Sequence, residues 1–156
     1  MKQRILKFSA WLAVLLIIDQ LLKLWIKNNL NVNQSITLIR DYFDITHVEN
    51  TGVAFGLLAG HGAWLAPIAI IVAGFAGYTY ANHKEGDKWF GAGMILLSAG
   101  AVGNFIDRIF NNGKVVDFID VKFIHVFNFA DMCITAAVIV LLGKWAFEGR
   151  KTHKET

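Results

Sequence analysis

Four long apolar stretches decide what this chain can fold into. They are Phe8–Ile26, Ala63–Ala81, Trp89–Ile106 and Ala130–Phe147, each 18 or 19 residues long. A helix needs about 20 mostly apolar residues to cross about 30 Å of hydrocarbon. The first stretch is broken only by Ser9, Asp19, Gln20 and Lys23. The second carries no charge, and the fourth has Asp131 at its start and Lys144 in its last turn. Only 17% of the 156 residues are charged, against 55% hydrophobic, and the mean hydropathy is +0.47. The pattern predicts a mainly α membrane protein with four transmembrane helices in one integral membrane domain, residues 1–156. The first stretch follows a basic start, as a signal peptide does. With no small-residue cleavage site after it, and with Asp19 and Lys23 inside it, it is expected to be a retained helix.

The connections carry an asymmetric charge. The two termini and the 82–88 connection hold eight Lys and Arg residues, while the longer connections 27–62 and 107–129 hold five. Basic residues stay on the cytoplasmic side. Both termini are therefore expected in the cytoplasm, with 27–62 and 107–129 extracytoplasmic. The positive residues are dispersed and not interleaved with aromatics, which argues against nucleic-acid binding. Phe43–Val48 alternates apolar and polar residues, as a half-buried strand does. Asn111-Asn112-Gly113 marks a tight turn, and Lys114–Val121 after it reads as a second strand. A small extracytoplasmic β platform on the helices follows, with a short amphipathic piece over 53–62. Ala69, Ala73 and Gly77 give the second helix a small-residue packing face.

Polar residues in or beside membrane spans are costly and point to function. Here they gather toward the outer helix ends. Asp19 and Lys23 are four apart and can pair on one helix face. Asn104, Asp107 and Arg108 close the third span. Asp107 and Arg108 can tie the helix end to the loops, whereas Asn104, one turn deeper, needs a partner. Asn128 fits an N-cap and Asp131 the matching position three residues on. A capping role and a chemical role for Asp131 are compatible. Asp117 and Asp120 are three apart, so on a strand they point to opposite faces. Asp117 shares its face with Val115 and Ile119 and is expected inward, with Asp131 as a candidate partner; Asp120 is expected in solvent. Asn50-Thr51-Gly52 leaves the first strand as a turn or as a backbone-and-amide platform.

Several chemistries are excluded. The histidines, at 47, 61, 83, 125 and 153, form no H-E-x-x-H motif, and Cys133 stands alone, so no metal site is expected. Serines occur only at 9, 35 and 98, none with a matching base. Carboxylates at one interface remain, and two carboxylates sharing a proton can activate water and protonate a leaving amine. A small membrane carrier or proton-coupled transporter is the alternative, although such proteins place carboxylates near the midplane and often show inverted repeats.

Five blocks, taken together and in order, resemble the lipoprotein signal peptidases, or signal peptidase II. They are Asp19 with Lys23, Asn50–Gly56, Gly103–Arg108, Val115–Ile119 and Phe127–Asp131. The resemblance implies a bacterial cell-membrane aspartic endopeptidase that cleaves diacylglyceryl-modified prolipoproteins before the lipidated cysteine. It implies Asp117 and Asp131 as the catalytic dyad, and Asn50, Gly52, Asn104, Arg108, Asn128, Asp19 and Lys23 as binding or supporting residues. It further implies a site toward the outer face of the membrane, no cofactor, a monomer in the lipid bilayer, and inhibition by globomycin-type cyclic peptides. The segment between the two aspartates is short, at 13 residues. His125 stands where the family commonly has proline, and Met132 where it commonly has Ser or Thr.

Overall fold

The computed structural model describes residues 2–52 and 62–152. The amphipathic piece expected over 53–62 lies outside them but for Gly62, which already opens a helix. Four helices run in the order α1 (Lys2–Asn29), α2 (Gly62–Asn82), α3 (Lys88–Phe110) and α4 (Phe129–Thr152). Each is long and apolar enough to cross a membrane. All four extend beyond the apolar stretches of the sequence, because polar helix ends continue past the hydrocarbon and hydropathy marks only the middle. Asp87 caps α3, its carboxylate accepting from the Phe90 N–H at 3.0 Å. At the other end the Asn111 N–H returns to the Asp107 carbonyl. Asn112 (φ 53°) and Gly113 (φ 83°) then turn left-handed, ending the helix. Pro67 lies deeper in α2 than the first turn, so it removes one internal hydrogen bond there.

Helix α3 is the axis of the bundle: it packs against the other three helices and is much the most buried. Small residues let the backbones approach. On α4, Ala130 and Ala137 are almost fully buried, as is Ala76 on α2. Ala69, Ala73 and Gly77 are half-buried, and Gly77 lies against the Phe8 ring at 3.8 Å. A Cβ at Gly100 would collide with the Ala130 carbonyl and come within 2.5 Å of the Ile134 side chain. Outward-facing residues such as Leu6, Ile71, Phe75 and Trp145 are more than 60% exposed. Apolar surface on that scale suits lipid, not water.

The three strands form one antiparallel sheet in the order β1 (Ser35–Ile39), β2 (Phe43–Asn50) and β3 (Val115–Asp120). Edge strand β1 was not signalled by the sequence pattern, and all five of its residues are exposed. Strand β2 departs from simple alternation. Its pairing with β3 shifts by one residue between Ile45 (opposite Ile119) and Val48 (opposite Asp117). This bulge keeps Ile45 and Val48 on one face and buries Asp44 and His47. The sheet sits on the end of α1, where Ile26 and Leu30 pack with Val116 and Phe118. Burying such side chains stabilises by about 1.5–3 kcal/mol each.

The helix contacts generate a stability prediction. Gly100→Ala should destabilise the protein by about 1–3 kcal/mol, because the methyl meets backbone and a packed side chain. At Gly143, where a Cβ would meet nothing within 4 Å, the same change should be neutral or stabilising by up to about 1 kcal/mol. Thermal unfolding in detergent measures both, and equal effects would contradict the close α3–α4 packing.

Candidate active site

Asp117 and Asp131 come from different elements and reach one place through the short segment between them. After β3 the chain turns at Lys122 (φ 66°) and comes back beside the strand. Phe127 bridges Ile119, and its carbonyl accepts from the Phe118 and Ile119 N–H groups. Asn128 is thereby set next to Asp117 and also becomes the N-cap of α4. Its side-chain oxygen accepts from the Asp131 N–H at 2.9 Å, and its own N–H donates to Asp131 Oδ2 at 3.3 Å. This is a reciprocal capping box, with Asp131 at the third position.

Two asparagines join the carboxylates. Asn128 Nδ2 donates to Asp117 Oδ1 at 2.6 Å and to Asn104 Oδ1 at 3.1 Å. Asn104 Nδ2 donates to Asp131 Oδ1 at 2.8 Å. Asn50 completes the set, its amide donating to Asp117 Oδ2 at 2.9 Å. That contact follows from register. Asp117 pairs with Val48 and Val115 with Asn50, so Asn50 and Asp117 are diagonal neighbours on one face. Asp117 is buried, whereas Asp131 keeps some exposure. Burial, reinforced by the nearby Asp131 charge, pushes the Asp117 carboxyl up to about 7, against the opposing hydrogen bonds of Asn50 and Asn128. Asp120 points the other way, to Lys122 and Thr46, and its carboxyl is held below the usual range by those hydrogen bonds despite some desolvation.

Below the aspartates lies a buried ionic cluster. Lys23 Nζ contacts Asp19 at 2.9 Å, Asp107 at 3.2 Å and Asn104 Oδ1 at 3.1 Å. Asp19 Oδ1 accepts from the Ala130 N–H at 3.0 Å, and Asp107 Oδ2 from the Val116 N–H at 2.9 Å. A Cβ at Gly103 would lie 2.7 Å from Asp19 Oδ2, so glycine there makes room for the carboxylate. Arg108 donates to the Gly52 carbonyl at 2.9 Å and to the Asn104 carbonyl at 3.3 Å. Gly52 in turn donates to Asn50 Oδ1 at 2.9 Å, so Arg108 holds the turn that carries Asn50. All nine residues singled out from the sequence thus meet in one network.

Two further participants were not among those nine. Asp107 is the second acid on Lys23, and Gln20 donates to Asp19 at 3.0 Å and Asp107 at 3.2 Å. Asp107 was expected to tie the end of its helix to the neighbouring chain, as its bond to the Val116 N–H does, but its pairing with Lys23 was not expected. Gln20 carried no signal beyond its place beside Asp19. Cys133 is a buried free cysteine. Among the described residues no three His, Cys, Asp or Glu side chains gather as a metal-holding group.

The cluster generates a second prediction. Lys23→Met leaves Asp19 and Asp107 facing each other without a cation, at a cost of about 3–5 kcal/mol. Asp19→Asn leaves Lys23 with Asp107 and should cost less. Unfolding in detergent ranks the two, and the reverse order would mean that Lys23 is not what holds the cluster.

A family model described as signal peptidase (SPase) II matches residues 11–147. The chain is 40% identical over 149 residues to the lipoprotein signal peptidase of Desulfitobacterium hafniense (strain DSM 10664 / DCB-2), covering 92% of this chain and 97% of that protein. To the lipoprotein signal peptidase of Staphylococcus carnosus it is 37% identical over 141 residues, covering 88% of each. Two solved structures, each described as a bacterial membrane enzyme determined by the in meso method, share the fold. One has a TM-score of 0.85 at 30% identity, covering 92% of this chain and 89% of the other. The second has 0.79 at 31% identity, covering 89% and 92%.

Proposed function

Because the chain belongs to the signal peptidase II family, and is thus a bacterial membrane peptidase that removes signal peptides from prolipoproteins, we propose that Asp117 and Asp131 are its catalytic pair. The observation that carries this reading is a chain of two bonded amides between the aspartates: Asn128 donates to Asp117 and to Asn104, and Asn104 donates to Asp131. Asp117, held near 7, carries the shared proton. Asp131 is the carboxylate. Water between them gives a proton to Asp131 as its oxygen adds to the scissile carbonyl carbon, and Asp117 protonates the carbonyl oxygen. The tetrahedral diol then collapses. The C–N bond breaks, the proton on Asp131 passes to the departing amine, and a diol hydroxyl returns its proton to Asp117. Asn50, Asn104 and Asn128 aim the two carboxylates, and their donors need not reorganise during the reaction. Lys23, Asp19 and Arg108 hold that frame.

The substrate in this reading is a prolipoprotein whose cysteine already carries diacylglycerol, with the scissile bond just before that cysteine. The acyl chains remain in the bilayer while the peptide reaches the polar cluster. The chain acts as a single domain and as a monomer. Its termini are cytoplasmic and its site lies toward the outer face, a topology supported by the greater density of basic residues at the ends and in the 82–88 connection. A reporter fused after Thr156 should report cytoplasm, and one inserted near Lys114 should report the exterior. Globomycin-type cyclic peptides are expected to place a hydroxyl between the aspartates, imitating the diol.

Purified protein incubated with a diacylglyceryl-modified prolipoprotein tests the pair. Asp117→Asn and Asp131→Asn should each lower cleavage by at least about 100-fold and leave a folded protein. Asp120→Asn should keep most of the activity. Cleavage that survives in either dyad variant would overturn the assignment. The pH profile tests the proton. Activity should fall as pH rises through about 7, where Asp117 loses its proton. Asn50→Leu removes a bond that favours the ionised form, so it should move that limb to higher pH. A shift to lower pH would contradict the assigned roles.

A further inference from the structure

The end of the bundle far from the aspartates holds a groove of about 1040 Å³, lined by both α1 and the start of α3. Its shape comes from how α1 is tied down. Arg4 donates to the Tyr80 and His83 carbonyls at 2.6 Å each, meeting acceptors at the C-terminal end of α2. Phe8 packs against the Tyr80 ring, and Gly91 leaves room for that ring, since a Cβ there would sit 3.2 Å from it. These contacts bind the start of α1 to α2. The flank of α1 toward α3 stays open, with Trp11 and Leu15 on one wall and Phe90, Ile95 and Leu96 on the other.

The two parts of the groove differ in chemistry. Its mouth carries Lys2, Arg4, Lys7, Lys84 and Lys88, against the acids Glu85 and Asp87. Asp87 is already engaged by His83 at 2.9 Å, Lys144 at 3.1 Å and the Phe90 N–H. Among the described residues no ion pair holds Lys2, Lys7 or Lys88. The interior is apolar and runs into the membrane-spanning part of both helices. From Lys2 to Leu15 the helix rises about 20 Å, roughly the depth of one leaflet's acyl region plus its headgroup layer.

We infer that this groove is a binding site for an anionic phospholipid of the leaflet nearest the chain termini. The headgroup phosphate lies among the lysines and one acyl chain lies along Trp11 and Leu15. Basic pockets between transmembrane helices hold acidic headgroups in this way. A zwitterionic lipid brings no net charge to the mouth. The signal peptide of a substrate is a poor occupant, because its leading segment is itself basic and meets a positive rim. The site is independent of the catalytic reading, since none of its residues belongs to the network around Asp117 and Asp131.

Native mass spectrometry of the full chain, released from detergent with equimolar dioleoyl phosphatidylglycerol and dioleoyl phosphatidylcholine, tests the site. The phosphatidylglycerol adduct should be favoured about tenfold or more, as several lysines at a headgroup allow. Lys2→Gln/Lys7→Gln/Lys84→Gln/Lys88→Gln should bring the two lipids to parity while prolipoprotein cleavage in detergent stays within about twofold. Removing four positive charges elsewhere, in Lys27→Gln/Arg40→Gln/Lys114→Gln/Lys122→Gln, should leave the preference intact. Trp11→Ala/Leu15→Ala should weaken retention of phosphatidylglycerol. Equal binding of the two lipids by the unmodified chain, or equal loss in both quadruple variants, overturns the proposal. So does displacement of the lipid by inorganic phosphate or by a synthetic signal peptide, and so does unchanged retention in the Trp11/Leu15 variant.

Discussion

The structure depends on one buried ammonium. Lys23 is 2% exposed and sits between Asp19 and Asp107, with Asn104 as its third partner. A charge so placed is tolerated only when it is paired and its hydrogen bonds are filled. Each partner passes the constraint on to another element. Asp19 holds the Ala130 N–H in the first turn of α4, and Asp107 holds the Val116 N–H in β3. Asn104 holds Asp131. Three helices and strand β3 are thus indexed to a single cation, and the sheet cannot shift on the bundle without breaking one of these bonds. Removing one member leaves another buried and unsatisfied, which makes such a network rigid as well as costly to disturb.

Packing and register then bring the cluster to working distance. Glycine and alanine on the facing sides of α3 and α4 let the backbones come close enough for an asparagine to bridge the helices. The bulge in β2 matters equally, because it keeps Ile45 and Val48 on the face occupied by Asp117. The short segment after β3 suffices to return the chain, since it folds back along the strand it has just left. Asn128 consequently caps a helix and supports an aspartate with one side chain.

The two ends of the bundle are chemically unlike. One gathers carboxylates and amides with their bonding satisfied internally, as suits a site that must meet a peptide in a fixed geometry. The other carries Lys2, Lys7 and Lys88, which no ion pair holds among the described residues, around an apolar groove, as suits a headgroup and chain drawn from the surrounding bilayer. Helix α3 runs between them, contributing Asn104 and Arg108 at one end and the wall of Phe90, Ile95 and Leu96 at the other.

Much of this was legible in the residues alone. Hydropathy over 18 or 19 residues located the four spans, because a bilayer demands that length whatever the tertiary arrangement. Spacing paired Asp19 with Lys23, separated Asp117 from Asp120 and placed Asn128 as a cap, since local periodicities of helix and strand govern those relations. Other features were decided only in three dimensions. The helix ends, strand β1 and the β2 bulge depend on which partner lies alongside, and hydropathy does not record a partner. Asp107 and Gln20 acquired their roles through contacts with residues more than 80 positions away. The elevated carboxyl of Asp117 likewise arises from burial and from a charge beyond its own strand. Local pattern carries what the bilayer and the backbone impose on any sequence; the network around Lys23 exists only because packing brings distant polar groups together where water cannot satisfy them.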